Sequence, residues 1–259
     1  MKNIKIYVIA LLVSIALGYV VASRVGINNN FTHEAGKEVQ TVSSTPLRGL
    51  TVCIDAGHGK TSGPNKETEP IAPGAEIQKA ASASGTEGVA TGISEASLNL
   101  AVAKKLRDSL EQNGTKVVMV RETEVCGLTN VERAKFWNSS KVDLTIRIHG
   151  NGSNDSSVSG VLMMIPGGKY IKDTELLNNS RKAGELVLAG VLEHTKAKSK
   201  GIQETSELTG FNWSRVPVIL LEMGFMTNPE EDKRLSTEEY QNKMVAGITE
   251  GLIKYVKGK

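Results

Sequence analysis

Two histidines, each followed by a glycine at the end of an apolar run, are the residues of this chain best suited to chemistry. His58 closes Val52–Asp55 and the turn Ala-Gly-His-Gly-Lys60, and His149 follows Leu144–Ile148 in Arg147-Ile-His-Gly-Asn-Gly152. A third apolar run, Val218–Leu221, ends in Glu222, and Glu95 follows Ser94 where a helical pattern begins. Singly, each has an ordinary explanation. A histidine between glycines is a turn residue, a glutamate in a first turn complements the helix dipole, and Glu222 could pair with an arginine such as Arg215. Together they make a set. Two histidines and a glutamate are a common catalytic zinc set that leaves a fourth position for water, and zinc brings the pKa of such a water down toward about 7. A further carboxylate off the metal can take that proton and pass it to a leaving amine, a role that suits Glu222. The glycines beside His58 let backbone come close, and Asp55 is a candidate to hold an imidazole N–H.

Such groups act only if the chain brings them together. From Leu50 onward, short apolar runs alternate with helical patterns. The expected strands are Leu50–Asp55, Lys116–Val120, Leu144–His149, Gly160–Ile165 and Val218–Glu222. A helix opened by Ser94 carries Leu98, Val102, Leu106 and Leu110 on one face, with Gly114 past its end. Leu128–Trp137 and Glu175–His194 fit helices. A last one, Thr237–Val256, opens with Ser236 and Glu239 at capping-box spacing. This alternation predicts a single α/β domain with a mostly parallel, mixed, twisted sheet and helices on both faces. The carboxyl ends of such strands line a ligand crevice, so His58, His149 and Glu222 are expected at one edge. Residues 60–93 are rich in small residues and read as a long loop, which next to His58 favours a functional role.

The rest of the chain sets boundaries. Lys2 and Lys5 precede the uncharged apolar stretch Ile6–Ala22, so residues 1–23 read as a signal peptide or a membrane anchor. Residues 24–47 read as a polar linker that includes His33, and 48–257 as the catalytic domain. The domain is expected outside the membrane, anchored or secreted. A net charge of +3 is too small to argue for a nucleic-acid partner, and none is expected. Two cysteines, Cys53 and Cys126, make no disulfide framework, and Cys53 reads as a buried free thiol. His194, at a helix end, reads as solvated surface.

The segments "IDAGHGK", "SEASLNLAVAKKL", "LTNVERAKFWN", "VDLTIRIHGNG" and "RVPVILLEMGFMTNPEED" follow one another in this order. In this the chain resembles zinc-dependent N-acetylmuramoyl-L-alanine amidases of the amidase_3 type, over nearly all of residues 50–257. The resemblance implies one Zn2+ held by His58, Glu95 and His149, with Glu222 as general acid and base on the zinc-bound water. It implies peptidoglycan as substrate, cut at the amide between N-acetylmuramic acid and L-alanine of the stem peptide, and allows a regulatory protein partner. Two places depart from the family pattern: Lys60 stands where a second glycine is common, and Arg147-Ile-His-Gly-Asn-Gly replaces Ser-Ile-His-Ala-Asn-Ala. The rival expectations are a non-catalytic, membrane-tethered wall-binding or regulatory protein on the same fold, and a zinc peptidase or deacetylase acting on another wall bond.

Overall fold

The computed structural model describes residues 45–60 and 68–258. The segment expected as signal or anchor, His33 and most of the expected linker lie outside the described residues. Among the described residues, no helix is long and apolar enough to cross a membrane.

In chain order the elements are β1 (Thr51–Ala56), β2 (Thr68–Pro70), β3 (Gln78–Ala80), α1 (Glu95–Gln112), β4 (Lys116–Met119), α2 (Asn130–Ser139), β5 (Leu144–Asn151), β6 (Val161–Pro166), α3 (Thr174–Thr195), β7 (Ser199–Thr205), α4 (Thr209–Asn212), β8 (Val218–Phe225), α5 (Pro229–Leu235) and α6 (Glu238–Lys257). The main sheet runs β4-β1-β5-β8-β6-β7. Its pairs are parallel except β6 with β8, which makes the sheet mixed, as the alternation predicts.

Strand alternation divides the core in two. On one face Val52, Ile54, Ile146, Ile148, Ile219 and Leu221 pack against α1, α3 and α6. Leu98, Val102, Leu106 and Leu110 of α1 are all buried there, and Ser94 caps the helix by accepting from Ser97 N. On the opposite face Cys53 packs with Ala134 and Trp137 of α2, and Val218 and Leu220 with Phe211 of α4. Central strands covered on both sides must be apolar nearly throughout, which is why β1, β5 and β8 stand out in the sequence.

Three expectations need correction. Residues 60–93 are not all loop, because β2 and β3 pair as a small antiparallel hairpin. Its Glu69 carboxylate accepts from Val131 N at 3.0 and 3.2 Å and so pins the hairpin to the first turn of α2. The edge strand β7 was not expected because its Ser-Lys-Gly-Ile-Gln-Glu-Thr sequence is mostly polar, and a strand on the rim needs few apolar side chains. Finally, Thr237, not Ser236, caps the last helix by accepting from Tyr240 N. Ser236 ends the short helix α5 and donates to Lys233 O, so the capping box with Glu239 does not form.

Candidate metal centre and active site

The carboxyl edge of β1, β5 and β8 is where the candidate residues meet. Beyond β1 the chain turns through Gly57 and places His58 in the left-handed region, at φ 60°. Its neighbour Gly59, at φ 141°, lies so close to Cys126 that an added Cβ would fall 2.7 Å from the Cys126 Cβ. His149 lies near the end of the buried part of β5, where the ladder with β8 shifts register. A Cβ at Gly57 would overlap the His149 ring, so glycine here makes room for an imidazole. Glu95 is the first residue of α1, and helix α1 begins at the sheet edge with its carboxylate turned toward both histidines.

Glu95 Oε1 lies 3.0 Å from His58 Nε2 and 3.1 Å from His149 Nδ1, and the two rings stand edge to face with centroids 4.9 Å apart. One ligand atom from each of the three residues lies within 4.8 Å of the others. Further donors hold the carboxylate in place. Gly150 N and Asn99 Nδ2 donate to Oε1 at 3.1 and 3.2 Å, and Thr86 N donates to Oε2 at 3.0 Å. Burial works to raise this carboxyl, but His149 and His58 outweigh it and hold it well below the usual carboxylate range. Burial pushes the His149 imidazole the other way, down to about 4, against the pull of Glu95.

The donor set fits a metal cation. His58 Nδ1 lies 2.8 Å from the carbonyl oxygen of Ala83, so that nitrogen must carry the proton. The other nitrogen of His58, Nε2, is left to face the Glu95 carboxylate, where a bound cation can be shared between the two. His149 Nε2 is buried without a hydrogen-bond partner. Histidine nitrogens fixed through their far side by a carbonyl are the usual ligands of zinc.

Glu222 is paired with His149 across β5 and β8. Its Oε2 is out of solvent and unpartnered, and no ion pair joins it to Arg215 among the described residues. Burial, helped by the Glu95 charge and opposed by Arg147, pushes its carboxyl up to about 8.

Asp55 does not hold an imidazole. It is fully buried, ion-paired to Arg133 Nη1 and, at 2.9 Å, to Arg147 Nε. Arg133 also donates to the carbonyls of Ala56 and His58. A second buried arginine, Arg121, donates to the carbonyls of Ala56, Gly57 and Ala96. These guanidiniums stiffen the turn that presents His58, and neither was singled out from the sequence. Arg133 lies inside "LTNVERAKFWN", and Asn99 is one helical turn from Glu95, so its spacing was a readable signal. The segment 81–86 follows the hairpin over the site through Ala83 O, Gly85 and Thr86 N. Lys60 is exposed, and its backbone pairs with residues 124–126 rather than with the site. Cys53 and Cys126 are both buried free thiols. His194 pairs with Glu250 at 2.7 Å on the outer helices, away from the cluster.

A mixed α/β sheet that gathers a His-Glu-His cluster and a second carboxylate at its carboxyl edge fits a metal-dependent hydrolase. The family model Amidase_3, described as N-acetylmuramoyl-L-alanine amidase, matches residues 52–254, and the chain belongs to that family. The germination-specific N-acetylmuramoyl-L-alanine amidase of Bacillus subtilis is 28% identical over 242 residues, covering 83% of this chain and 84% of that protein. The solved N-acetylmuramoyl-L-alanine amidase from Clostridium difficile is 28% identical with a TM-score of 0.66, covering 81% of this chain and 98% of that one. The amidase Ami1 from Mycobacterium smegmatis shares the fold at a TM-score of 0.74 and 20% identity, covering 82% and 99%. The chain is therefore a peptidoglycan amidase of the cell wall.

Proposed function

We propose that this amidase is zinc-dependent, that His58, Glu95 and His149 hold one zinc ion, and that Glu222 is its general acid and base. The bond cut is the amide between N-acetylmuramic acid and L-alanine of the stem peptide. The observation that carries this reading is the convergence of His58 Nε2 and His149 Nδ1 on one oxygen of Glu95, with His58 Nδ1 committed to Ala83 O. When bound, zinc polarises the scissile carbonyl and makes an attacking water more acidic.

The chain's own residues supply the rest. Asn99, Gly150 N and Thr86 N keep the Glu95 carboxylate oriented. Glu222, beside His149 but off the cluster, takes a proton from the attacking water and returns it to the alanyl nitrogen as the amide breaks. A base of this kind works best with its pKa near the working pH, and burial moves Glu222 in that direction. Residues 48–257 form the catalytic unit, with residues 1–23 as export signal or anchor, since peptidoglycan lies outside the cytoplasmic membrane.

The test is metal analysis of the purified full chain together with mass spectrometry of digested peptidoglycan. The expected result is one zinc per chain and release of stem peptides with a free alanyl amino group. A different freed amino group would indicate a peptidase or deacetylase, and no release from zinc-loaded protein would indicate a non-catalytic wall protein.

A further inference from the structure

Arg147 lies two residues before His149 on β5 and is only 5% exposed. Its Nε donates to Asp55 Oδ2 at 2.9 Å, and its guanidinium carbon stands 5.9 Å from the centre of the Trp137 ring. Among the described residues neither Nη1 nor Nη2 has an acceptor, so four of its five N–H groups are unused. Arg133 next to it differs, because its nitrogens are taken up by Asp55 and by the carbonyls of Ala56, His58 and Leu128.

The Arg147 side chain lines a cavity of about 80 Å³ that it shares with His58, His149, Arg133, Asn130 and Ser82. Among the described residues Asp55 is the single carboxylate paired with these two guanidiniums, which leaves this wall with a surplus of positive charge. Neither Nη is both shut off from solvent and unpartnered, so water meets these N–H groups in the free protein and a ligand's oxygens would take its place. The forked pair of N–H groups matches two oxygens of a carboxylate or a phosphate. His58 and His149 line the same cavity, so an anion bound here would sit beside the His-Glu-His cluster.

We propose that Arg147 forms an anion subsite beside the metal centre, which receives a carboxylate of the stem peptide close to the scissile amide. The choice of side follows from chemistry. The sugar half of the substrate offers hydroxyl, ether and acetamide oxygens, whereas carboxylates are on the peptide half. The proposal rests on the amidase reading of this site, and Arg147 acts in it as a specificity residue.

The experiment compares two synthetic peptides that begin with L-alanine and differ only in a carboxylate or a carboxamide on the second residue. Their affinities for the zinc-loaded full chain are measured by calorimetry. The carboxylate peptide is expected to bind about tenfold more tightly. Arg147→Gln should bring the two within about twofold, and Arg147→Lys should keep part of the preference. Equal affinities in the unsubstituted protein, binding of neither peptide, or a preference that survives Arg147→Gln would overturn the subsite. The comparison in the unsubstituted protein needs no variant, so it decides even if Arg147→Gln folds poorly. Cleavage of the matching muramyl peptides is followed in parallel. Cleavage without discrimination counts against the subsite alone, and discrimination without cleavage counts against the catalytic reading alone.

Discussion

His149 on β5 and Glu222 on β8 are direct partners in a parallel ladder. Neighbouring strands lie about 4.8 Å apart and paired residues project to the same face, so the register alone puts a carboxylate beside an imidazole of the cluster. Glu222 is nonetheless outside the tight group formed by His58, Glu95 and His149. That separation gives it the freedom to carry protons. Glu222→Gln is expected to keep zinc at one per chain and to lower cleavage by at least about 10²-fold, because only the proton carrier is lost. Metal analysis and peptide release check this together. Loss of zinc in the variant would make Glu222 a ligand and overturn its role.

The same carboxylate predicts a pH effect on the metal-free protein. Its folded value, about 8, lies above the ordinary 4.5, so the folded state holds a proton that the unfolded state gives up. The cost is absent below about pH 4.5, grows as the pH rises from there, and is complete above about 8. Glu222→Gln removes it. Melting temperatures of metal-free protein should therefore show the variant gaining on the unsubstituted chain from pH 5 to pH 8. A gap that is constant with pH would show that Glu222 is ionised in the folded protein.

Gly57 is not in the left-handed region, so its backbone accepts alanine, yet the added methyl would overlap the His149 ring. Gly57→Ala is expected to displace His149 and weaken zinc binding by about 10–100-fold, the range seen when ligand orientation is disturbed. Competition with a chelator measures it, and circular dichroism checks that the fold persists. Unchanged affinity would show that the ring has other room.

Asp55 is the shared counter-charge of two buried guanidiniums. Asp55→Asn keeps its size and leaves both charges unpaired, with an expected loss of about 3–5 kcal/mol in urea unfolding. Although burial raises this carboxyl, Arg133 and Arg147 hold it well below its ordinary 3.8. Its stabilisation is therefore present above about pH 3.8 and disappears as the pH falls further. The variant should lose this acid-dependent part of the unfolding curve. A loss under about 1 kcal/mol would mean that water already screens the triad.

Much of the site was legible because its residues end apolar runs. A strand buried on both faces has to be apolar, so a histidine or glutamate at its end is conspicuous, as with His149 and Glu222. Asp55 is equally conspicuous, and its role was misjudged for want of a partner. Arg133 comes from α2, 78 residues further along the chain, and no local spacing points to it. The hairpin was hidden for a similar reason. Its strands are three residues each, and the hairpin is held to α2 by polar contacts of Glu69 and Asn130 rather than by an apolar face of its own.

By itself the sequence determined the alternation of strands and helices, the mixed α/β class, the family and four candidate residues, because burial periodicity and short motifs are local properties of a chain. Only the tertiary structure decided which of the neighbouring polar groups touch. It directed Asp55 to arginines instead of an imidazole, laid Ala83 and Thr86 over His58 and Glu95, and made Arg147 part of the wall of a cavity. Such contacts depend on distances between segments far apart in the chain, and residue spacing carries no measure of those distances.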